Sequence, residues 1–163
     1  PYMATRYDME TGEIVPLTKR VGFVDRKLKR INAEVDDKAE WQRLVVEAYK
    51  SSYGFEWNGD SLLLARENLL YTYRDYYFQK WLEEPTYGLF ANIAKIISYN
   101  LFQMDGLKYI IPLTEKREKI LEVQMSLFDY EEPEEQWRIK SGKRVKIMNW
   151  ETNKMEFFDK GVR

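Results

Sequence analysis

A carboxylate at the end of a short apolar run is the residue of this sequence best placed to do chemistry. Glu56 closes Tyr53-Gly54-Phe55-Glu56, Trp57 follows it, and beyond Asn58-Gly59 the chain runs Asp60-Ser61-Leu62-Leu63-Leu64-Ala65-Arg66-Glu67-Asn68-Leu69-Leu70. The pattern reads as a strand ending on an acid, a turn on Asn-Gly, and a long amphipathic helix with Asp60 as its N-cap. At the carboxyl end of a parallel strand, the two oxygens of such an acid can accept hydrogen bonds from both hydroxyls of a nucleoside ribose. The same glutamate also reads as an ordinary surface carboxylate, so the surrounding elements must decide between the two.

Those elements are mostly helical. Polar turn residues around Gly12, between Tyr7 and Ile14, suggest a loop or small hairpin. Phe23, Val24, Leu28, Ile31 and Val35 recur at three and four, which predicts a helix over Val21 to Val35 with Arg26, Lys27, Lys29 and Arg30 mostly outside. Asp36-Asp37 caps a second helix through Trp41, Leu44, Val45 and Ala48 to about Lys50. The stripe that starts at Leu62 continues through Tyr73, Tyr76 and Tyr77 to Trp81, until Pro85 ends it. A further helix covers Thr86 to Ser98. Tyr99 to Gln103 reads as a second strand and Met104-Asp105-Gly106 as its turn. A strand, a helical crossover and a second strand make parallel neighbours.

Composition removes several function classes. The chain has 163 residues, net charge −1, no Cys and no His. Disulfides, thiolate metal sites, Ser/His and Cys/His nucleophile systems and the commonest metal ligand are all excluded. Near-zero net charge argues against a uniformly basic nucleic-acid binder, so such a contact has to come from a local patch. Aromatic residues make up 15%, with 12 Tyr, 8 Phe and 5 Trp, which supplies flat surfaces for packing or stacking. No apolar run approaches the ~18 residues of a membrane span and no signal peptide is visible, so a cytoplasmic protein without membrane contact is expected.

Three stretches together resemble an adenine-specific DNA methyltransferase of bacterial restriction–modification systems and mobile elements. They are Tyr53-Gly54-Phe55-Glu56, Ala65-Arg66-Glu67-Asn68-Leu69-Leu70, and Asn100-Leu101-Phe102-Gln103-Met104-Asp105-Gly106-Leu107. The resemblance covers roughly Phe23 to Leu107. It implies an α/β fold, part of a Rossmann-like methyltransferase sheet with long helices, and S-adenosylmethionine as cofactor. By the same resemblance Glu56 binds the cofactor ribose, Asp105 faces the cofactor adenine, and Trp57 packs on the adenine face. Met104 stands where the family commonly has Gly. The family's Gly-rich cofactor loop and its Asn-Pro-Pro-Tyr tetrapeptide, which holds a flipped adenine, do not occur in the sequence. The loop is expected before Pro1 and the tetrapeptide after Arg163. The chain therefore reads as an interior fragment or degenerate relative with no catalytic residue of its own, meeting DNA through the full-length protein.

The second half carries separate signals. Thr114 to Glu122 is charged and reads as helical, and the acidic run around Pro133 reads as an exposed loop. Within it, Gln124-Met125-Ser126-Leu127-Phe128 resembles the short peptide by which bacterial DNA-handling proteins grip the sliding clamp. Gln124 would bond at the pocket rim while Leu127 and Phe128 fill it; alternatively those two residues pin a loop to the core. From Arg138 the pattern is a β-hairpin, Val145 to Trp150 and Met155 to Phe158 about a turn at Glu151 to Lys154. Arg138, Lys140, Lys143, Arg144 and Lys146 are either a DNA phosphate contact or a solvated face. The expected organisation is a core over 1–113, an acidic insertion over 114–137, and a hairpin over 138–163 completing the same domain. The competing reading is a non-enzymatic phage or mobile-element accessory protein that binds the sliding clamp or another protein.

Overall fold

A computed structural model describes residues 3–8, 10–119 and 137–160. Among these the chain is mixed α/β, with four α-helices and three two-stranded sheets. Helix α1 is Phe23–Glu34, α2 is Lys38–Lys50, α3 is Gly59–Trp81 and α4 is Tyr87–Asn100. Strands β1 (Gly54–Glu56) and β2 (Leu101–Gln103) pair in parallel, with Gly54 opposite Leu101 and Glu56 opposite Gln103. Strands β3 (Lys116–Lys119) and β4 (Trp137–Lys140) are antiparallel, as are β5 (Lys146–Asn149) and β6 (Lys154–Phe157).

The helices form where periodicity and caps coincide. Asp37 accepts from the Glu40 amide at the start of α2. Asn58, not Asp60, caps α3: its Oδ1 accepts from the amides of Asp60 and Ser61. The helix therefore begins two residues earlier than its pattern suggests, at Gly59, and Asp60 sits in the first turn, where the positive end of the helix dipole favours its negative charge. Thr86 caps α4, and Leu82, in the left-handed region at φ 55°, ends α3.

Aromatic side chains dominate the core. Trp41 of α2 is fully buried and meets the edges of Tyr77 and Trp81 of α3, while Tyr73 lies between Trp41 and Tyr49. Val24, Leu28, Val45, Leu69, Ile93 and Ile97 fill the spaces between them. Each such side chain contributes roughly 1.5–3 kcal/mol on burial.

Two expectations change. The charged stretch beginning at Thr114 does not form a helix; Lys116–Lys119 is a strand, because Trp137–Lys140 offers it a ladder. The basic face of α1 is partly structural rather than solvated. Lys27 donates to the Ala48 carbonyl and to the hydroxyls of Ser51 and Ser52, and Lys29 donates to the carbonyls of Thr18 and Arg20. Among the described residues no helix is long and apolar enough to cross a membrane.

Candidate functional site

The parallel pair puts two strand ends side by side. Glu56 ends β1 next to Gln103 at the end of β2, and Asp105 follows two residues on. The two acids singled out by sequence thus share the carboxyl edge of neighbouring parallel strands. Arg66 of α3 fixes this geometry from below: its guanidinium donates to the Leu101 carbonyl at 2.6 Å and 3.2 Å, holding the start of β2 against the helix. Asn100 fixes it from the side. Its amide nitrogen donates to the carbonyls of Tyr49, Lys50 and Ser52, where α2 leads into β1, and its oxygen accepts from the Trp150 indole at 2.7 Å.

Glu56 opens onto a cleft of about 540 Å³. Met3 and Ala4 of the N-terminal segment form one wall, Tyr53 to Phe55 and Leu101 another, and Leu62, Ala65, Asn68 and Leu69 of α3 the floor. The lining is apolar with a few polar groups, the usual character of a small-molecule site. The Glu56 carboxylate is oriented before any ligand arrives. Its Oε1 accepts from the amides of Trp57, at 2.9 Å, and Asn58, at 3.3 Å. Its Oε2 makes no hydrogen bond among the described residues, so acceptor capacity remains on that one oxygen rather than on both.

Asp105 is placed differently. It is 8% exposed, and its Oδ1 accepts from the amides of Leu107 and Lys108. Its backbone also pairs with Ile110. It holds the turn after β2 and does not line the Glu56 cleft. Trp57 also lies outside that lining; its indole is 53% exposed and its carbonyl accepts from Gln103 Nε2. Met104, between the end of β2 and Asp105, is buried in the core. Gln124, Leu127 and Phe128 lie outside the described residues. Among the described residues no acidic cluster could hold a metal ion.

Sequence reasoning missed Tyr53 and Asn68 as site residues, and the wall formed by Met3 and Ala4. Asn68 is half-buried and its side chain makes no hydrogen bond among the described residues. The signal was present, since Leu62, Ala65 and Leu69 share one helical face and Asn68 is the polar residue on it. Tyr53 donates to the Met148 carbonyl, and its hydroxyl is pushed above its ordinary range by burial and then by Glu151. The Met3–Ala4 wall is held through Asp25, which accepts from both the amide and hydroxyl of Thr5 and from the Gly22 amide, and through the Met3 carbonyl, which accepts from Val24. No family model, curated protein or solved structure matches this chain.

Proposed function

We propose that this chain forms the ribose-binding part of a S-adenosylmethionine-dependent DNA adenine methyltransferase, as a piece or a degenerate relative of one. The observation that carries the reading is Glu56: a carboxylate at the carboxyl end of a parallel strand, held by its own turn, with a free oxygen beside an apolar cleft. In open α/β sheets that is where a nucleoside ribose is bound. The two hydroxyls would donate to Oε2, whose two lone pairs suit a bidentate partner. A carboxylate already fixed by amides loses little freedom on binding. Asn68 supplies an amide at the floor of the same cleft, and Trp57, directly after Glu56, and Asp105, beyond the end of β2, would meet the adenine outside it. The wider Rossmann-like sheet, with residues 1–113 as its core and 138–163 completing the domain, belongs to the same proposal. DNA is the substrate, approaching the same sheet edge. The Asn-Pro-Pro-Tyr tetrapeptide that holds a target adenine in this family does not occur in the sequence, so methyl transfer is not assigned to any residue here.

Titration calorimetry with S-adenosylmethionine tests the reading. Glu56→Ala removes charge-assisted acceptors worth about 1.5–3 kcal/mol, which is roughly 10-fold or more in affinity. Equal affinity in the parent and in Glu56→Ala, or no measurable binding by the parent, overturns the ribose assignment.

A further inference from the structure

The antiparallel ribbon of β3 and β4 carries charge that no other described element uses. Register puts Lys116 opposite Lys140 and Glu118 opposite Arg138 on one face, and Arg117 opposite Ile139 on the other. Every residue of β4 is exposed, Trp137 at 53% and Ile139 at 63%. Glu118 is the one carboxylate on these two strands and it pairs with Lys140 at 3.3 Å. Lys116, Arg117 and Arg138 make no ion pair among the described residues, and neither does Lys143 on the return path. A chain of net charge −1 has thus gathered on one ribbon several cations that have no ion pair among the described residues.

The root of the ribbon is at the turn that follows β2. Asp105 pairs with Ile110, Ile111 donates to the Lys143 carbonyl, and Val145 donates to the Tyr109 carbonyl. The Lys143 amide donates to the Thr114 hydroxyl at 2.9 Å. The ribbon therefore leaves the body from the turn that begins at Asp105, at the carboxyl edge that also holds Glu56.

We propose that the β3–β4 ribbon is a docking arm for the phosphate backbone of duplex DNA. Side chains two apart on one strand face are spaced roughly 7 Å, about two nucleotide rises along a DNA strand. A two-stranded ribbon is also narrow enough for the major groove. The choice of DNA rests on the methyltransferase reading, which needs a duplex to reach this edge. The sequence between the two strands holds Glu122, Asp129, Glu131, Glu132, Glu134 and Glu135 and no Lys or Arg. Cations that only balance that acidic run would give the chain no affinity for DNA, so binding itself separates the two accounts.

The test is fluorescence anisotropy of a labelled duplex of arbitrary sequence, titrated with the 163-residue chain over a series of salt concentrations. The parent is expected to bind with an affinity that falls as salt rises. Arg117→Gln with Arg138→Gln, both exposed positions, should lower the slope of log affinity against log salt by about two. Lys116→Gln with Lys140→Gln should lower it similarly, whereas Arg30→Gln, on the exposed side of α1, should not. No binding by the parent at low salt, a preference for single strands, or an unchanged slope in both ribbon variants overturns the proposal. Calorimetry with S-adenosylmethionine keeps the two readings apart. Ribbon variants should retain cofactor affinity and Glu56→Ala should retain DNA affinity, so either reading can fail while the other stands.

Discussion

Replacing Asn100 by Ala should cost more than any other single exchange near the site. The side chain is 1% exposed and its amide nitrogen serves the carbonyls of Tyr49, Lys50 and Ser52 at 2.9, 2.9 and 3.0 Å. Two amide hydrogens cover three acceptors, so one is shared. Ser52 also donates to the Tyr49 carbonyl, which keeps a partner in the variant, but the other two carbonyls lose this donor. The Trp150 indole loses its acceptor as well. Buried polar groups left without a partner cost about 1–3 kcal/mol each, so a total of about 3–5 kcal/mol is expected, among the larger single-residue effects. For a chain of this size that is a fall of roughly 10 °C in Tm, read by circular dichroism. Asn100→Asp sharpens the test. It keeps the oxygen that serves Trp150 but turns a carboxylate toward three carbonyl oxygens, which raises its folded pKa above the unfolded value of about 3.9. Protonated, the group again donates, so this variant should lie nearest the parent in acid and fall away from it as pH rises through the folded pKa. An Ala variant melting within about 2 °C of the parent, or an Asp variant whose deficit ignores pH, would refute the role given to Asn100.

Gly22→Ala should destabilise by about 1–3 kcal/mol, because its Cβ would lie 2.6 Å from the Ala4 Cα and 2.7 Å from the Met3 carbonyl oxygen, which are backbone atoms unable to turn aside. The same change should move the Met3–Ala4 wall and weaken ligand binding in the cleft; a variant with parent-like Tm and parent-like affinity would contradict this. Burial raises the phenol pKa of Tyr49, Tyr73 and Tyr76, with Asp25 adding to the shift of Tyr49 and Tyr76. Their stabilisation is complete below the unfolded value of about 10 and is lost above it, at about 1.4 kcal/mol per pH unit for each group. Denaturant midpoints should therefore drop steeply above about pH 10, and a flat profile there would mean that these hydroxyls are not buried in solution.

Helix α2 and the β5–β6 hairpin were legible because each is specified locally. Asp37 is followed by a regular apolar stripe, and Asn149, whose side chain accepts from Glu151 and Thr152, sits at the turn of an alternating pair. Strand β3 was not legible. Lys116 to Lys119 has the composition of a helix surface, and what makes it a strand is the ladder with Trp137–Lys140, some twenty residues further along the chain. Phe23 shows the same limit on a smaller scale. It belongs to the apolar stripe of α1, yet it is 43% exposed, while Asp25 is fully buried with one carboxylate oxygen accepting from Thr5 and Gly22. A pattern of residue types records preference for the interior but not the partners that can overturn it.

The candidate site divides along the same line. The acid at the strand end, the crossover and the parallel neighbour could all be read from spacing, since each follows from chain direction. What spacing could not give is the state of each oxygen. Glu56 and Asp105 look equivalent as letters, but both use one oxygen to hold a turn and only Glu56 faces the cleft. Nor could spacing give the far wall, which comes from Met3 and Ala4 some fifty residues before Glu56. That wall is anchored twice, by Asp25 through Thr5 and by Asp75, which holds both Arg6 at 2.9 Å and the buried Arg20 at 2.8 Å. Removing the Asp75 carboxylate would leave Arg20 charged in the interior, the costly half of a broken ion pair. The shape of the cleft around Glu56 thus depends on two carboxylates that never touch it, and which for that reason carry no sign of the site in their sequence surroundings.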